Sequence, residues 1–193
     1  VKNKSTETIK GNEARHIGMD FNVGRMCAVT HVLRDCKPHA VDEFINAYDT
    51  PEMIELIKRR YWQEVSNGEF TKTCEIYVYP DSSGKNRKSV GASETDISLL
   101  KKAGFAVRAK SQNPLVKDRV NAMNAAFCNA KGERLYYVNT DLCPHYTEKL
   151  EQQVYDDKGQ PEKDGTEDVN DAGGYYISFA FPINKPLWNP FNG

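Results

Sequence analysis

Near the start of the chain, Ile17, Met19, Phe21 and Val23 alternate with Gly18, Asp20 and Asn22. Alternation at period two puts the four apolar residues on one face of a β-strand and turns Asp20 and Asn22 to the other. A carboxylate in mid-strand constrains whatever packs over it, because a buried charge is tolerated only when it is paired or coordinates a metal. Other acids stand in equally conspicuous places. Asp81 follows directly on the apolar run Ile76-Tyr77-Val78-Tyr79-Pro80, and Asp168 and Asp171 open the last apolar helix. An acid in a strand, an acid at a strand end and acids on a helix start can build a carboxylate cluster for divalent metal from distant parts of one chain.

The order of elements supports such a meeting. Strands are expected over 16–23, 25–33 and 39–46, joined by short turns into an antiparallel meander. Thr50-Pro51-Glu52 reads as a helix start with the Thr50 hydroxyl at N-cap, and Met53, Ile54, Ile57 and Tyr61 give that helix one apolar face. Cys74 to Tyr79 is a fourth strand, and Ser93 with Asp96 opens a second helix that stops at Gly104. Phe105 to Arg108 is a fifth strand. A third helix starts at Asn113-Pro114, a short strand covers Tyr136 to Val138, a small helix runs from Thr147 to Val154, and the last helix runs from Asp168 to Phe181. Three strands, helix, strand, helix, strand and further helices is the order of an α/β ribonuclease H-like fold. It has a central mixed sheet, three antiparallel strands followed by parallel ones, with helices on both faces. Strands one and four are then parallel neighbours, which sets Asp20 beside Asp81. Asp168 and Asp171, three residues apart, share a face of the last helix near its N-terminus, where the helix dipole favours negative charge. Gly173-Gly174 costs that helix roughly 1 kcal/mol each against Ala, so a packing reason is expected, namely close approach to the sheet.

A length of 193 residues suits one domain. Residues 1–15 lack any hydrophobic period and read as a linker remnant, 16–182 as the domain and 183–193 as a tail. The chain opens at Val1 without an initiator Met, the expectation for a piece of a longer polypeptide. No stretch approaches the ~18 consecutive apolar residues of a membrane span, so no membrane partner is expected. The five Cys form no CxxC pair and read as reduced packing residues. His16, His31, His39 and His145 lack zinc-ligand spacing. Ser82-Ser83-Gly84-Lys85 is no Walker A loop, since Tyr79 stands at the upstream Gly position and Asn86 at the Ser/Thr position. A net charge of −1 excludes a uniformly basic nucleic-acid coat and leaves room for a local one.

Three segments carry a family resemblance: Gly18-Met19-Asp20-Phe21-Asn22, Tyr79-Pro80-Asp81-Ser82-Ser83-Gly84, and the stretch from Cys143-Pro144 through Glu148-Lys149-Leu150-Glu151 and Tyr155-Asp156-Asp157-Lys158-Gly159 to Asp168-Val169-Asn170-Asp171-Ala172. With them the chain, from about His16 to Pro182, resembles the C-terminal nuclease domain of the large terminase subunit of tailed bacteriophages, nearest the headful-packaging type. The resemblance implies a metal-dependent endonuclease that cuts concatemeric double-stranded DNA during viral genome packaging in the host cell cytoplasm. It also implies an ATPase domain upstream in the same polypeptide, with a small terminase subunit and a portal protein as partners. Two alternatives stand beside it: a resolvase- or transposase-type nuclease of the same superfamily, and a catalytically inactive DNA- or portal-docking module.

Phosphodiester hydrolysis needs an activated water and a stabilised leaving oxyanion, and two divalent ions about 3.5–4 Å apart serve both. Carboxylate oxygens suit Mg²⁺ or Mn²⁺. In this reading Asp20 bridges the ions, Asp81 holds one and Asp171 the other, with Asp168 near; Asp20, Asp81 and Asp171 are the catalytic set. Taken singly, Asp81 also fits a turn start and Asp168 an N-cap. Lys85, Arg87 and Lys88 follow Asp81 closely enough to meet a DNA phosphate, and Lys163 precedes the last helix. Lys101, Lys102, Arg108, Lys110, Lys117 and Arg119 are candidates to extend that basic surface.

Overall fold

The computed structural model describes residues 2–22, 24–66, 68–82, 95–154, 161 and 168–183. Six strands form one mixed sheet: β1 (Arg15–Asp20), β2 (Met26–Arg34), β3 (Lys37–Ala47), β6 (Ile76–Pro80), β7 (Ala106–Val107) and β8 (Tyr137–Val138). Their spatial order is β7-β6-β1-β2-β3-β8. β1, β2 and β3 pair antiparallel, and the β1–β6, β6–β7 and β3–β8 pairs are parallel. This is the mixed sheet expected from the order of elements. The register sets Met19 against Pro80, and the Asp81 N–H donates to the Met19 carbonyl at 2.9 Å, so Asp20 and Asp81 leave adjacent strand ends together.

Two clusters of buried residues fill the two sides of the sheet. Ile17, Met19, Ile76 and Val78 pack with Met53 and Ile57 of α1 (Thr50–Tyr61) and Leu100 of α2 (Asp96–Lys102). Val29, Ala40 and Tyr79 pack with α3 (Val116–Phe127), α4 (Pro144–Gln152) and α5 (Asp168–Ala180) through Met123, Tyr146, Ala172, Tyr176 and Ile177. The alternation of β1 is therefore used on both sides: Ile17 and Met19 face the first cluster, and Gly18 and Asp20 face α5.

Contact between α5 and β1 is made possible by one missing side chain. A Cβ on Gly18 would lie 2.0 Å from the Ala172 carbonyl oxygen, closer than any atom pair tolerates. The helix glycines have other reasons than the expected approach to the sheet. A Cβ on Gly173 would strike the Tyr146 hydroxyl of α4, and one on Gly174 would come within 3.0 Å of the Arg119 side chain of α3.

Several boundaries differ from the expected ones. Asp49, not Thr50, caps α1 by accepting from the Glu52 N–H, while Thr50 is buried and donates to Asp96 at 2.6 Å. Thr95 caps α2 by accepting from the Ser98 N–H, and Ser93, the expected start, lies outside the described residues. Asn113 does not cap α3, because its side chain is turned to Asp81 and Ser82. Helix α4 begins at Pro144 and is capped from β3, where Glu43 accepts from the His145 and Tyr146 N–H groups. A hairpin of β4 (Gln63–Ser66) and β5 (Glu69–Thr71) lies outside the main sheet.

The segment expected as a linker is held on the domain. Ser5 donates to the Val138 carbonyl and Val138 to that of Asn3, which covers the edge at β8, and Arg34 pairs with Glu7 and Glu13. Cys27, Cys74 and Cys143 are buried, Cys36 and Cys128 are exposed, and all five are unpaired.

Candidate metal centre

Asp20 is 7% exposed, and its carboxyl is pushed up to about 8, first by burial and then by repulsion from Asp171, Asp81 and Asp168; the Arg119 guanidinium opposes the rise. Of the four acids proposed from the sequence, three thus act on the fourth, which is buried. β1 and β6 deliver Asp20 and Asp81 at their C-terminal ends, and the first turn of α5 delivers Asp168 and Asp171. Gly18 beneath Ala172 is what lets that turn descend far enough.

Each outer acid is held by a protein donor. The Asn22 side-chain amide donates to Asp168 Oδ1 at 2.6 Å, and Arg25 Nε lies 3.7 Å from Asp168 Oδ2. The Asn113 amide donates to Asp81 Oδ1, while its own oxygen accepts from the Ser82 N–H at 2.7 Å. Arg119 Nη2 lies 2.5 Å from Asp171 Oδ1, with the guanidinium carbon 4.8 Å from the centre of the Tyr175 ring. With the side chains so engaged, no three groups of metal-ligating type converge on one point among the described residues. The donor chemistry nevertheless suits a hard divalent cation, which would relieve the repulsion that adds to burial in raising the Asp20 carboxyl.

The basic residues fare differently. Lys85, Arg87, Lys88 and Lys163 lie outside the described residues. Arg119 is buried against Asp171 and is no part of a DNA-facing surface. Arg108 stacks on Tyr77 at 4.9 Å, and Lys110 donates to the Ser178 carbonyl at 2.9 Å. Lys101, Lys102 and Lys117 are exposed.

The family model for the terminase RNaseH-like domain matches residues 17–179. The chain belongs to that family. The large terminase of a thermophilic bacteriophage superposes at a TM-score of 0.63 with 17% identity, over 92% of this chain and 43% of its own. The P22 large terminase nuclease domain superposes at 0.61 with 14% identity, over 94% of this chain and 90% of that one. The nuclease domain of the large terminase g2p from bacteriophage SPP1, solved with bound Mn, superposes at 0.56 with 16% identity over 87% of both. These are likenesses of fold, and the chain spans about two-fifths of the length of the thermophilic-phage protein. No curated protein sequence matches the chain.

Within this terminase RNase H-like domain, five residues of the site had no reading as site residues in the sequence: Asn22, Arg25, Asn113, Tyr175 and Arg119 in its actual place. Asn22 carried a signal, since it shares the period-two face of Asp20. Asn113 and Arg119 reach the acids only through tertiary packing and carried none.

Proposed function

We propose that this domain is the endonuclease of a phage DNA-packaging motor, hydrolysing double-stranded DNA with Mg²⁺ or Mn²⁺ held by Asp20, Asp81 and Asp171, with Asp168 alongside. The observation that carries the reading is the buried Asp20 carboxyl, on which three further acids from two other elements act. A cluster so costly in charge is kept where a cation belongs. The Mn-bound SPP1 nuclease domain, similar in fold, supports the same choice of metal.

Two ions, when bound, lower the pKa of the attacking water and clamp the scissile phosphate. The chain's own groups do the positioning. Asp20 would be the central ligand, and Asn113 and Arg119 hold the carboxylates of Asp81 and Asp171. Asn22 and Arg25 hold Asp168 at the margin. DNA phosphates are expected to be met by Lys85, Arg87 and Lys88, which follow Asp81 in the sequence, and by Lys163. An upstream ATPase domain, a small terminase subunit and a portal protein complete the proposed machine in the host cell. The thermophilic-phage large terminase, solved in complex with ATP-gamma-S, supports the first of these. Among the described residues, no helix is long and apolar enough to cross a membrane.

The test is cleavage of concatemeric or plasmid DNA. Cutting in Mn²⁺ that stops in EDTA and is lost in Asp20→Asn and Asp81→Asn supports the reading. Undiminished cutting by both variants, or full activity in EDTA, refutes it.

A further inference from the structure

We infer that Arg119 is the positioning residue of the acid cluster: anchored in α3, it presents a fixed guanidinium against which Asp171 is set in the orientation metal binding requires. The inference rests on the metal reading above and adds to it the group that preorganises a ligand.

The asymmetry of the pair carries the argument. The Arg119 side chain is 7% exposed and that of Asp171 is 29% exposed, so the arginine is the fixed partner and the acid leans on it. Three contacts fix the guanidinium. Its arm lies in the space left by Gly174, where a Cβ would come within 3.0 Å of both Arg119 Cγ and Cδ. It lies over the Tyr175 ring, with the guanidinium carbon 4.8 Å from the ring centre. Its Nη2 reaches Asp171 Oδ1 at 2.5 Å. Gly174, Tyr175 and Asp171 are neighbours on α5, so one helix supplies the slot, the stacking face and the carboxylate. Gly174 is a glycine in mid-helix, despite its poor helix propensity, because the arm runs through the volume of its missing side chain. Arginine cannot lose its proton in a protein, and its planar fork suits a carboxylate better than a lysine ammonium does.

Positioning and simple charge predict opposite signs. A permanent cation beside a cation site repels metal, so charge alone makes Arg119→Gln bind Mn²⁺ more tightly. A residue that orients a ligand makes the same variant bind more weakly, by about tenfold to a hundredfold, the range for outer partners of metal ligands. The experiment is Mn²⁺ titration of the protein without DNA, followed by electron paramagnetic resonance, with thermal unfolding in EDTA to check each variant's fold.

Weaker binding is expected for Arg119→Gln and for Gly174→Ala, whose Cβ pushes the arm aside, and a smaller loss for Arg119→Lys. The exposed Lys131→Gln control should bind as the wild type does. In an Asp171→Asn background Arg119→Gln should have no further effect, because the arginine acts through that acid. Equal or tighter binding by folded Arg119→Gln overturns the inference, as does a loss that persists undiminished in the Asp171→Asn background. Should Arg119→Gln not fold, Gly174→Ala and Arg119→Lys decide by the same sign. A wild type without an Mn²⁺ signal sensitive to Asp20→Asn refutes the metal reading itself, an outcome distinct from either.

Discussion

The two sides of the sheet are packed by different means. Towards α1 and α2 the buried side chains are chiefly apolar, aliphatic ones such as Ile17, Met19, Met53, Ile57, Ile76 and Leu100 with the rings of Phe21, Phe44, Trp62 and Phe105, and the polar groups there close on one another: Thr50 with Asp96, and Tyr61 with Thr30 and Asp42. Towards α5 the sheet meets rings, an imidazole, a guanidinium and carboxylates. His31 lies between the His16 carbonyl and the Tyr136 hydroxyl, Tyr136 and Tyr146 hydroxyls are 2.9 Å apart, and Asp20 and Asp168 are buried on the same side of the sheet. Aliphatic burial is non-directional and stabilises whatever the exact pose, whereas a buried polar group is tolerated only in the one arrangement that satisfies it. One side therefore supplies stability, and the other spends some of it on geometry.

The sharpest way to break this comparison is a reciprocal pair of substitutions. Ile57→Ala on the α1 side should lower unfolding free energy by about 2–5 kcal/mol while leaving metal-dependent cleavage at permissive temperature near normal. Asp20→Asn on the α5 side should lower cleavage by more than about a hundredfold, since loss of a ligand exceeds the loss of an outer partner. Its effect on stability has the opposite sign. With a carboxyl raised to about 8 in the folded state and 3.8 unfolded, the native protein holds the proton over that interval, so Asp20 loses stability for the metal-free fold as pH rises towards 8. In EDTA the wild type should lose more stability than Asp20→Asn between pH 6 and pH 9. Urea unfolding at both pH values measures the difference, and an equal loss in both proteins would refute the assignment.

Gly18 is where the two sides are tied together. Its neighbours Ile17 and Met19 belong to the aliphatic cluster, while its own missing side chain admits α5. Because a Cβ would meet the backbone carbonyl of Ala172 at 2.0 Å rather than the movable end of a side chain, Gly18→Ala should cost about 3 kcal/mol, at the upper end of ordinary overpacking. The displaced helix should take cleavage down with it. Wild-type unfolding midpoint and activity in this variant would show that the contact relaxes.

What could be read from the chain follows the same division. Alternation along β1, the helix face of Met53, Ile57 and Tyr61, and the acids at strand and helix ends are local patterns, and the topology and acid cluster were legible in them. Helix starts were misplaced wherever the capping group had a competing tertiary use. Thr50 is drawn to Asp96, Asn113 is drawn to Asp81, and α4 takes its cap from Glu43, about a hundred residues earlier in the chain. Ser66-Asn67-Gly68-Glu69 holds an Asn-Gly hairpin signal that fits β4 and β5. Gly173-Gly174 signals close packing, but the partners are Tyr146 and Arg119 rather than the expected sheet, and they come from helices whose placement no local pattern encodes.

A smaller effect tests the polar side by acid. Burial pushes the His31 imidazole down to about 3, partly offset by its bond to the His16 carbonyl, against 6.5 when unfolded. The unfolded chain thus binds a proton that the folded one refuses, and this contribution is complete above pH 6.5 and is lost as pH falls towards 3. At about 1.4 kcal/mol per pH unit, roughly 2 kcal/mol should have gone at pH 5. Thermal unfolding of wild type and His31→Gln between pH 7 and pH 5 checks it. The variant should start less stable and show a flatter acid slope, and parallel slopes would assign the loss to other groups.

The smallest expected effect separates the two acids of α5. Asp171 leans on a buried, stacked arginine and, of the three acids around Asp20, repels it most, whereas Asp168 is held by the Asn22 amide and, more loosely, by half-exposed Arg25. A ligand preorganised by a rigid partner should matter more to the chemistry than one at the margin. Asp168→Ala is therefore expected to lower cleavage by about tenfold, within the range of an outer partner, and Asp171→Ala by more than that. Asn22→Ala should reproduce most of the Asp168→Ala effect and add little to it in the double variant, because the amide acts through that carboxylate. Initial rates on plasmid DNA in saturating Mn²⁺ rank the variants. If Asp168→Ala proves the inactive protein and Asp171→Ala the active one, the ligand order reverses, and Asn22 rather than Arg119 becomes the residue that aims the decisive carboxylate.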